Sequence, residues 1–335
     1  MRSAGRTAAA AVSVVAVLAA PACAGPDRRA APPSTAAPPT PTTPGPPAPA
    51  ATGPAVPPPA AVLVGAGDIA SCGSTGDSRT AALLDRIPGT VFTLGDNVYD
   101  DGAPAEFAQC YGPTWGRHRS RTRPVIGNHD YHTPGAAGYF GYFGAAAGAS
   151  AGAVAGAGRT GWYSYDLGAW HVVVLDSNCG VARGGCAAGS PQERWLRADL
   201  ASSSRRTRCT VAMWHHPLFT SGRTHGPTTA VRPLFRALYE AGAELVLSGH
   251  NHQYERFAPQ DPAGRRDDGR GLRQFVVGTG GVSHYGFGSP ARNSQVRRTG
   301  TYGVLRLTLR EGGYDWSFVP VAGEAFTDSG RDTCH

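Results

Sequence analysis

Short apolar runs recur from residue 61 onward, and most stop at a glycine or a turn. Ala61–Gly67 is one, Val91–Leu94 a second and Arg123–Ile126 a third; Thr210–Trp214, Glu244–Leu247 and Gln274–Val277 repeat the pattern. Such runs, bounded by turn signals, read as strands buried on both faces. Segments of helical spacing lie between them. Asp77–Ile87 places Ala81, Leu83, Leu84 and Ile87 on one side, with Asp77 or Ser78 as the expected cap and Pro88-Gly89 as the stop. Pro191–Leu200 follows Ser190, its expected cap, and carries Trp195, Leu196 and Leu200; Val231–Ala241 is a third helix and Glu106–Tyr111 a short one. Strand, helix and strand in this order predict parallel βαβ units. Gly161–Tyr165 with Trp170–Leu175, and Tyr302–Leu309 with Tyr314–Val319, predict antiparallel hairpins. Together they predict an α/β fold of two packed mixed sheets with helices outside.

The chain before residue 61 has a different character. Arg2 and Arg6 precede the apolar run Ala8–Ala20, which ends in Ala20-Pro21-Ala22-Cys23. Residues 1–23 therefore read as a signal peptide, with an apolar run too short to span a bilayer permanently. Residues 24–60 are a Pro/Ala/Thr-rich segment holding 14 of the 28 prolines, expected to be a disordered or polyproline-like linker. The folded domain is expected over 61–335, interrupted at 144–158 by a low-complexity Gly/Ala/Ser loop.

Seven cysteines are present. Apart from Cys23 they form an even set, which in an exported chain points to disulfides. Cys179–Cys186 is the expected pair, across a tight loop, and Cys334 is expected to tie down the chain end. Cys23 admits two readings: a lipid anchor that makes the chain a cell-surface lipoprotein on a Pro-rich stalk, or plain secretion. The formal charge is +7 and every basic residue is arginine. Coding bias accounts for that as well as attraction of an anionic substrate does. No basic run is interleaved with aromatics, so there is no specific nucleic-acid-binding signal.

Chemistry gathers in five loops that each follow an apolar run. They carry Asp68; Asp96 with Tyr99; Asn128 with His129; His215 with His216; and His250 with His252. Taken singly these residues have ordinary structural roles: Asp68 as a turn residue, Tyr99 as a half-buried aromatic, Asn128 as a left-handed turn residue. Taken together they are a set of hard oxygen and imidazole donors without thiolate, suited to iron, zinc or manganese. Their number fits two ions sharing one carboxylate, the arrangement that serves phosphoryl displacement. His132, His225 and His284 read as loop histidines, and Arg121 and Arg123 as surface residues.

In order, Gly67-Asp68, Gly95-Asp96-Asn-Val-Tyr99, Gly127-Asn128-His129-Asp130, His215 and Gly249-His250-Asn-His252 resemble the calcineurin-like metallophosphoesterase superfamily, over about residues 63–255. The Gly-Asp-x-x-Tyr form resembles its purple acid phosphatase branch. The resemblance implies a four-layer αββα sandwich with a dimetal site at the strand C-terminal ends, and makes 61–335 a metallophosphoesterase catalytic domain. It implies that Asp68, Tyr99 and His252 hold the first metal, that Asn128, His215 and His250 hold the second, and that Asp96 bridges them. His129 would be the catalytic histidine. His215 is favoured over His216 because the family has one histidine before a small residue and proline. The Asp-x-His of much of the superfamily is absent at Asp68-Ile-Ala70, so Tyr99 is the expected replacement and Fe(III) the expected first ion, with iron, zinc or manganese second. An acidic partner for His129 is missing at position 99. The implied activity is hydrolysis of phosphate monoesters, by in-line attack of a metal-bound hydroxide. Alternatives are a phosphodiesterase acting on nucleotide, lipid or polymer substrates, and a surface-tethered phosphate-ester binding protein with little turnover. The partner is thus a small-molecule or polymeric phosphate ester.

Overall fold

Side chains alternate between two cores along three neighbouring strands. Val172, Val174, Val211, Met213, Leu245 and Leu247 enter one core, while Val173, Ala212 and Val246 enter another. Period-two alternation with both faces apolar means a sheet covered on both sides. In the computed structural model, residues 60–148 and 158–335 are described. The predicted signal peptide, nearly all of the linker, Cys23 and most of the low-complexity loop lie outside them.

The covered sheet has seven strands, in the order Ser294–Arg298, Tyr254–Phe257, Arg273–Val277, Leu245–Ser248, Cys209–Met213, Trp170–Val174 and Tyr163–Leu167. The four from Arg273–Val277 to Trp170–Val174 are mutually parallel. Helices Pro191–Ser203 and Arg232–Glu240 cover its outer face through Leu196, Leu200, Leu234, Phe235 and Leu238. The second sheet has six strands: Ser329–Thr333, Gly313–Pro320, Gly303–Arg310, Ala61–Ala66, Thr90–Thr93 and Thr122–Arg123. Its last three are parallel, and helix Gly76–Leu84 packs against this sheet. Val64, Phe92, Leu305 and Phe318 of this sheet share a core with Val172 and Leu247 of the other. The result is the expected α/β sandwich of two mixed sheets with helices outside.

Several local expectations shift. The third strand is Thr122–Arg123, shorter than 123–126, because Pro124 has no N–H for the ladder. Helix Pro191–Ser203 is capped as expected, Ser190 accepting from Glu193 N at 3.3 Å. The first helix starts at Gly76 behind Thr75, with no side-chain cap. Asp77 is not the cap; it is buried and accepts from Thr114 Oγ1 at 2.8 Å. Edge strands Ser294–Arg298 and Ser329–Thr333 escape the hydrophobic pattern because polar residues fill them, as suits exposed sheet edges.

Three disulfides staple the described residues: Cys72–Cys110, Cys179–Cys186 and Cys209–Cys334. The second is the expected tight loop. The third ties the chain end to the strand Cys209–Met213.

Candidate metal centre

Parallel strands deliver their following residues to one sheet edge, and here both sheets contribute. Asp68, Asp96 and Asn128 follow strands of the six-stranded sheet; His215 and His250 follow strands of the seven-stranded one. Asp68, Asp96 and His250 have φ of 60°, 48° and 69°, and among the described residues only Ala136 and Asn293 join them as non-glycines at positive φ. Left-handed backbone at three candidate ligands concentrates strain at the candidate site. Glycine makes room beside them. A Cβ on Gly127 would lie 2.1 Å from Asp96 N, and one on Gly95 (φ 86°) would lie 2.5 Å from His215 Nδ1.

Each carboxylate is held by one oxygen and presents the other. Asp96 Oδ1 accepts from His129 N at 2.9 Å, and Asp68 Oδ2 accepts from His250 N at 2.9 Å. The free oxygens enter two knots. In the first, Tyr99 Oη lies 3.1 Å from Asp68 Oδ1, 3.0 Å from Asp96 Oδ2 and 3.1 Å from His252 Nε2. In the second, His215 Nε2 lies 3.2 Å from Asp96 Oδ2, 3.1 Å from Asn128 Oδ1 and 3.2 Å from His250 Nδ1. Asp96 Oδ2 belongs to both.

Backbone carbonyls set the imidazoles. His215 Nδ1 donates to Leu94 O at 2.6 Å and His252 Nδ1 to Ser283 O at 2.8 Å, so each turns Nε2 into its knot. Each knot thus packs three donor atoms within 3.0–3.2 Å of a fourth. Protons can bridge only some of these contacts, whereas a cation gathers all four donor atoms. The donor set thus fits one cation in each knot, with Asp96 common to both.

The electrostatics agree. Burial raises both carboxylic acids, but the neighbouring His215 more than cancels that at Asp96, which keeps its charge, while Asp68 is pushed up by burial and by Asp96. Burial lowers His215, yet Asp96 and Asp68 outweigh it and hold the imidazole up at about 9. Burial pulls His252 down to about 4 and lowers His250 further.

His129 lines a cleft of about 400 Å³ beside Tyr99, His252 and Tyr285. Its Nδ1 lies 2.6 Å from Asp100 O, so a main-chain carbonyl stands where an acidic side chain was missing. His216 is bound instead to Ser177 Oγ through Nδ1 at 2.9 Å, although its ring also neighbours His250 at 4.4 Å. His215 is buried and central to the second knot, and His215, His216 and His250 together could hold an ion.

Other residues join that the motifs did not single out. Tyr285 stacks on His252 at 3.9 Å and 12°. His225 is nearer than a loop histidine need be, its ring 4.3 Å from that of His250. His132 shares the Asp100 carbonyl at 3.0 Å. His284 packs on Tyr302, Arg121 binds carbonyls of Leu84, Ile87 and Gly89, and Arg123 lies over Tyr165. Buried Asp130 accepts from Gly127 N at 2.8 Å and from Asn97 Nδ2 at 2.9 Å, joining the loop of Asp96 to that of Asn128. Only the Gly-Asn-His-Asp motif could have signalled Asp130; carbonyl partners leave no mark in residue identity.

Two knots of hard donors sharing a carboxylate at the strand ends of an αββα sandwich define a dimetal-type centre. The family model of Calcineurin-like phosphoesterase matches residues 61–254, and the chain belongs to that family. Within it the chain resembles the purple acid phosphatase branch. It is 32% identical over 188 residues to purple acid phosphatase 21 of Arabidopsis thaliana, covering 52% of this chain and 41% of that protein. It is 30% identical over 157 residues to purple acid phosphatase 22 of the same plant, covering 45% and 35%. The chain thus spans well under half the length of these curated relatives. The purple acid phosphatase PPD1 from yellow lupin (Lupinus luteus) seeds superposes with a TM-score of 0.62 at 18% identity, over 82% of this chain and 54% of that one, a likeness of fold.

Proposed function

We propose that the chain is an exported, metal-dependent phosphoric ester hydrolase acting on phosphate monoesters. The observation that carries the reading is the position of Asp96 Oδ2, 3.0 Å from Tyr99 Oη and 3.2 Å from His215 Nε2. One carboxylate oxygen joins two sets of oxygen and imidazole donors. Asp68, Tyr99 and His252 would hold one ion, Asn128, His215 and His250 the other, and Asp96 both. The ions would supply Lewis-acid charge to a phosphoryl group and acidify a water.

The chain's own residues supply the rest. His129 keeps its Nδ1 proton on Asp100 O, so Nε2 is the nitrogen that exchanges a proton with a leaving alkoxide in the cleft. Leu94 O and Ser283 O hold His215 and His252 in the orientation their roles need. Tyr99 is a phenol donor, which favours Fe(III) at its site, with iron, zinc or manganese in the other. Export is supported by the three disulfides, which persist in oxidising compartments.

The test is phosphate release by the purified chain with its metal content measured. Activity that follows metal content, and is lost in Asp96→Asn and His250→Ala, supports the reading. Metal-free protein with full activity, or variants with unchanged activity, would sink it. A matched diester panel separates a diesterase, which would cleave the diester faster.

A further inference from the structure

The cleft beside His129 has a chemical bias of its own. The chain carries 31 basic residues, all arginine, yet among the described residues none of them lines this cleft. Arg79, which follows the Ser71–Ser74 wall, is engaged by Ala322 O at 3.1 Å and by Glu324 at 3.9 Å. The Arg223 guanidinium lies near Gly286 and is not part of the lining.

Beyond Tyr99, His129 and His252, the walls offer Asp100, serine hydroxyls and an aromatic ring. Ser71 and Ser283 line the cleft, and neither hydroxyl has a hydrogen-bond partner among the described residues. Ser74 is already committed, donating to Gly281 O at 2.6 Å. Tyr285 is fixed by its stack on His252 and by its N–H, which donates to His252 O at 3.1 Å.

An ester phosphate seated at the candidate metal centre would find positive charge there. A second phosphate reaching past His129 into the cleft would lose water and meet Asp100 and no arginine, which is costly for a dianion. A neutral alcohol with hydroxyls would exchange water for Ser71 and Ser283. Sites built to hydrogen-bond a substrate hydroxyl discriminate more sharply than apolar pockets do. We propose that this cleft is the leaving-group subsite, and that it selects monoesters of uncharged, hydroxyl-bearing alcohols over esters carrying a second phosphate. The inference rests on the hydrolase reading above and names its substrate class.

The experiment compares glucose 6-phosphate with glucose 1,6-bisphosphate, using the full chain loaded with metal. The expected kcat/KM is at least about tenfold higher for the monophosphate. Ser71→Arg, which puts a cation into the cleft, should bring that ratio toward one. The double change Ser71→Ala with Ser283→Ala should lower kcat/KM for glucose 6-phosphate relative to p-nitrophenyl phosphate, whose alcohol bears no further hydroxyl. A wild-type ratio of one or less overturns the inference, as does an unchanged ratio in a folded Ser71→Arg. If neither sugar ester nor p-nitrophenyl phosphate is hydrolysed, the hydrolase reading fails on its own. Calorimetry with the two sugar esters then reads the cleft, and equal affinities overturn it.

Discussion

His129 Nδ1 lies 2.6 Å from the main-chain carbonyl oxygen of Asp100. A carbonyl can only accept, so Nδ1 carries a proton in either charge state and the exchangeable proton is on Nε2. General-acid help matters most when the leaving oxygen is a poor one. His129→Ala should therefore lower kcat for an alkyl phosphate by about 10²- to 10⁴-fold, and lower it far less for p-nitrophenyl phosphate. Metal content should stay unchanged. Equal losses on both substrates would count against the general-acid role.

Tyr99 touches Asp68, Asp96 and His252 through a single oxygen. If that oxygen binds Fe(III), the loaded protein absorbs visible light through phenolate-to-metal charge transfer. Tyr99→Phe should abolish the band and lower the iron content. A colourless wild type that is fully active with zinc or manganese alone refutes the assignment, and so does a Tyr99→Phe protein with unchanged metal content.

Asp130 supports the centre from below without touching the knots. Its carboxylate accepts from Gly127 N and from Asn97 Nδ2, and Asn97 Nδ2 also donates to Val125 O at 2.9 Å. Asp130→Ala leaves a buried N–H and a buried amide without their acceptor. Leaving a buried donor unsatisfied costs about 1–3 kcal/mol each, so urea unfolding should show a loss of at least about 2 kcal/mol. A loss below about 0.5 kcal/mol, the range of an ordinary surface change, would mean that the loops hold their places without it.

The five motif loops were legible in the sequence because each needs a particular side chain after a strand. The architecture was legible for the same reason: apolar runs such as Thr210–Trp214 are buried on both faces and leave a strong pattern. What was hidden is held by main chain or by distance. Leu94 O and Ser283 O, which orient His215 and His252, carry no residue signature. Tyr285 reaches His252 across 33 residues of chain, and stacking at that separation has no periodicity. The polar strand Ser329–Thr333 gains its place from pairing with Gly313–Pro320 rather than from burial.

His171 is a buried ion-paired group outside the candidate centre. Its Nδ1 lies 2.7 Å from Asp166 Oδ1 and its Nε2 2.8 Å from Asp199 Oδ2. Two carboxylates require a proton on each nitrogen, so the ring is held as the cation. It links the hairpin strand Tyr163–Leu167 to helix Pro191–Ser203, with Arg206 on Asp166 at 3.2 Å and Ser164 on Asp199 at 2.8 Å. Burial alone would lower the imidazole, but the bonds to Asp199 and Asp166 outweigh it and raise its pKa. Its stabilisation is therefore complete below the unfolded value of about 6.5 and is lost as pH rises through the raised folded value. Asp166 is opposite in sign: burial raises it, the bond to His171 outweighs that, and its pKa is lowered. Its contribution is present above the unfolded value of about 3.9 and is lost as pH falls through the lowered one. Both are in full force from about pH 4 to 6.5. The wild-type Tm should exceed that of His171→Gln most in this window, and the gap should narrow as the pH rises above it. A gap that is constant from pH 5 to 9 would show that the ring acts by packing alone.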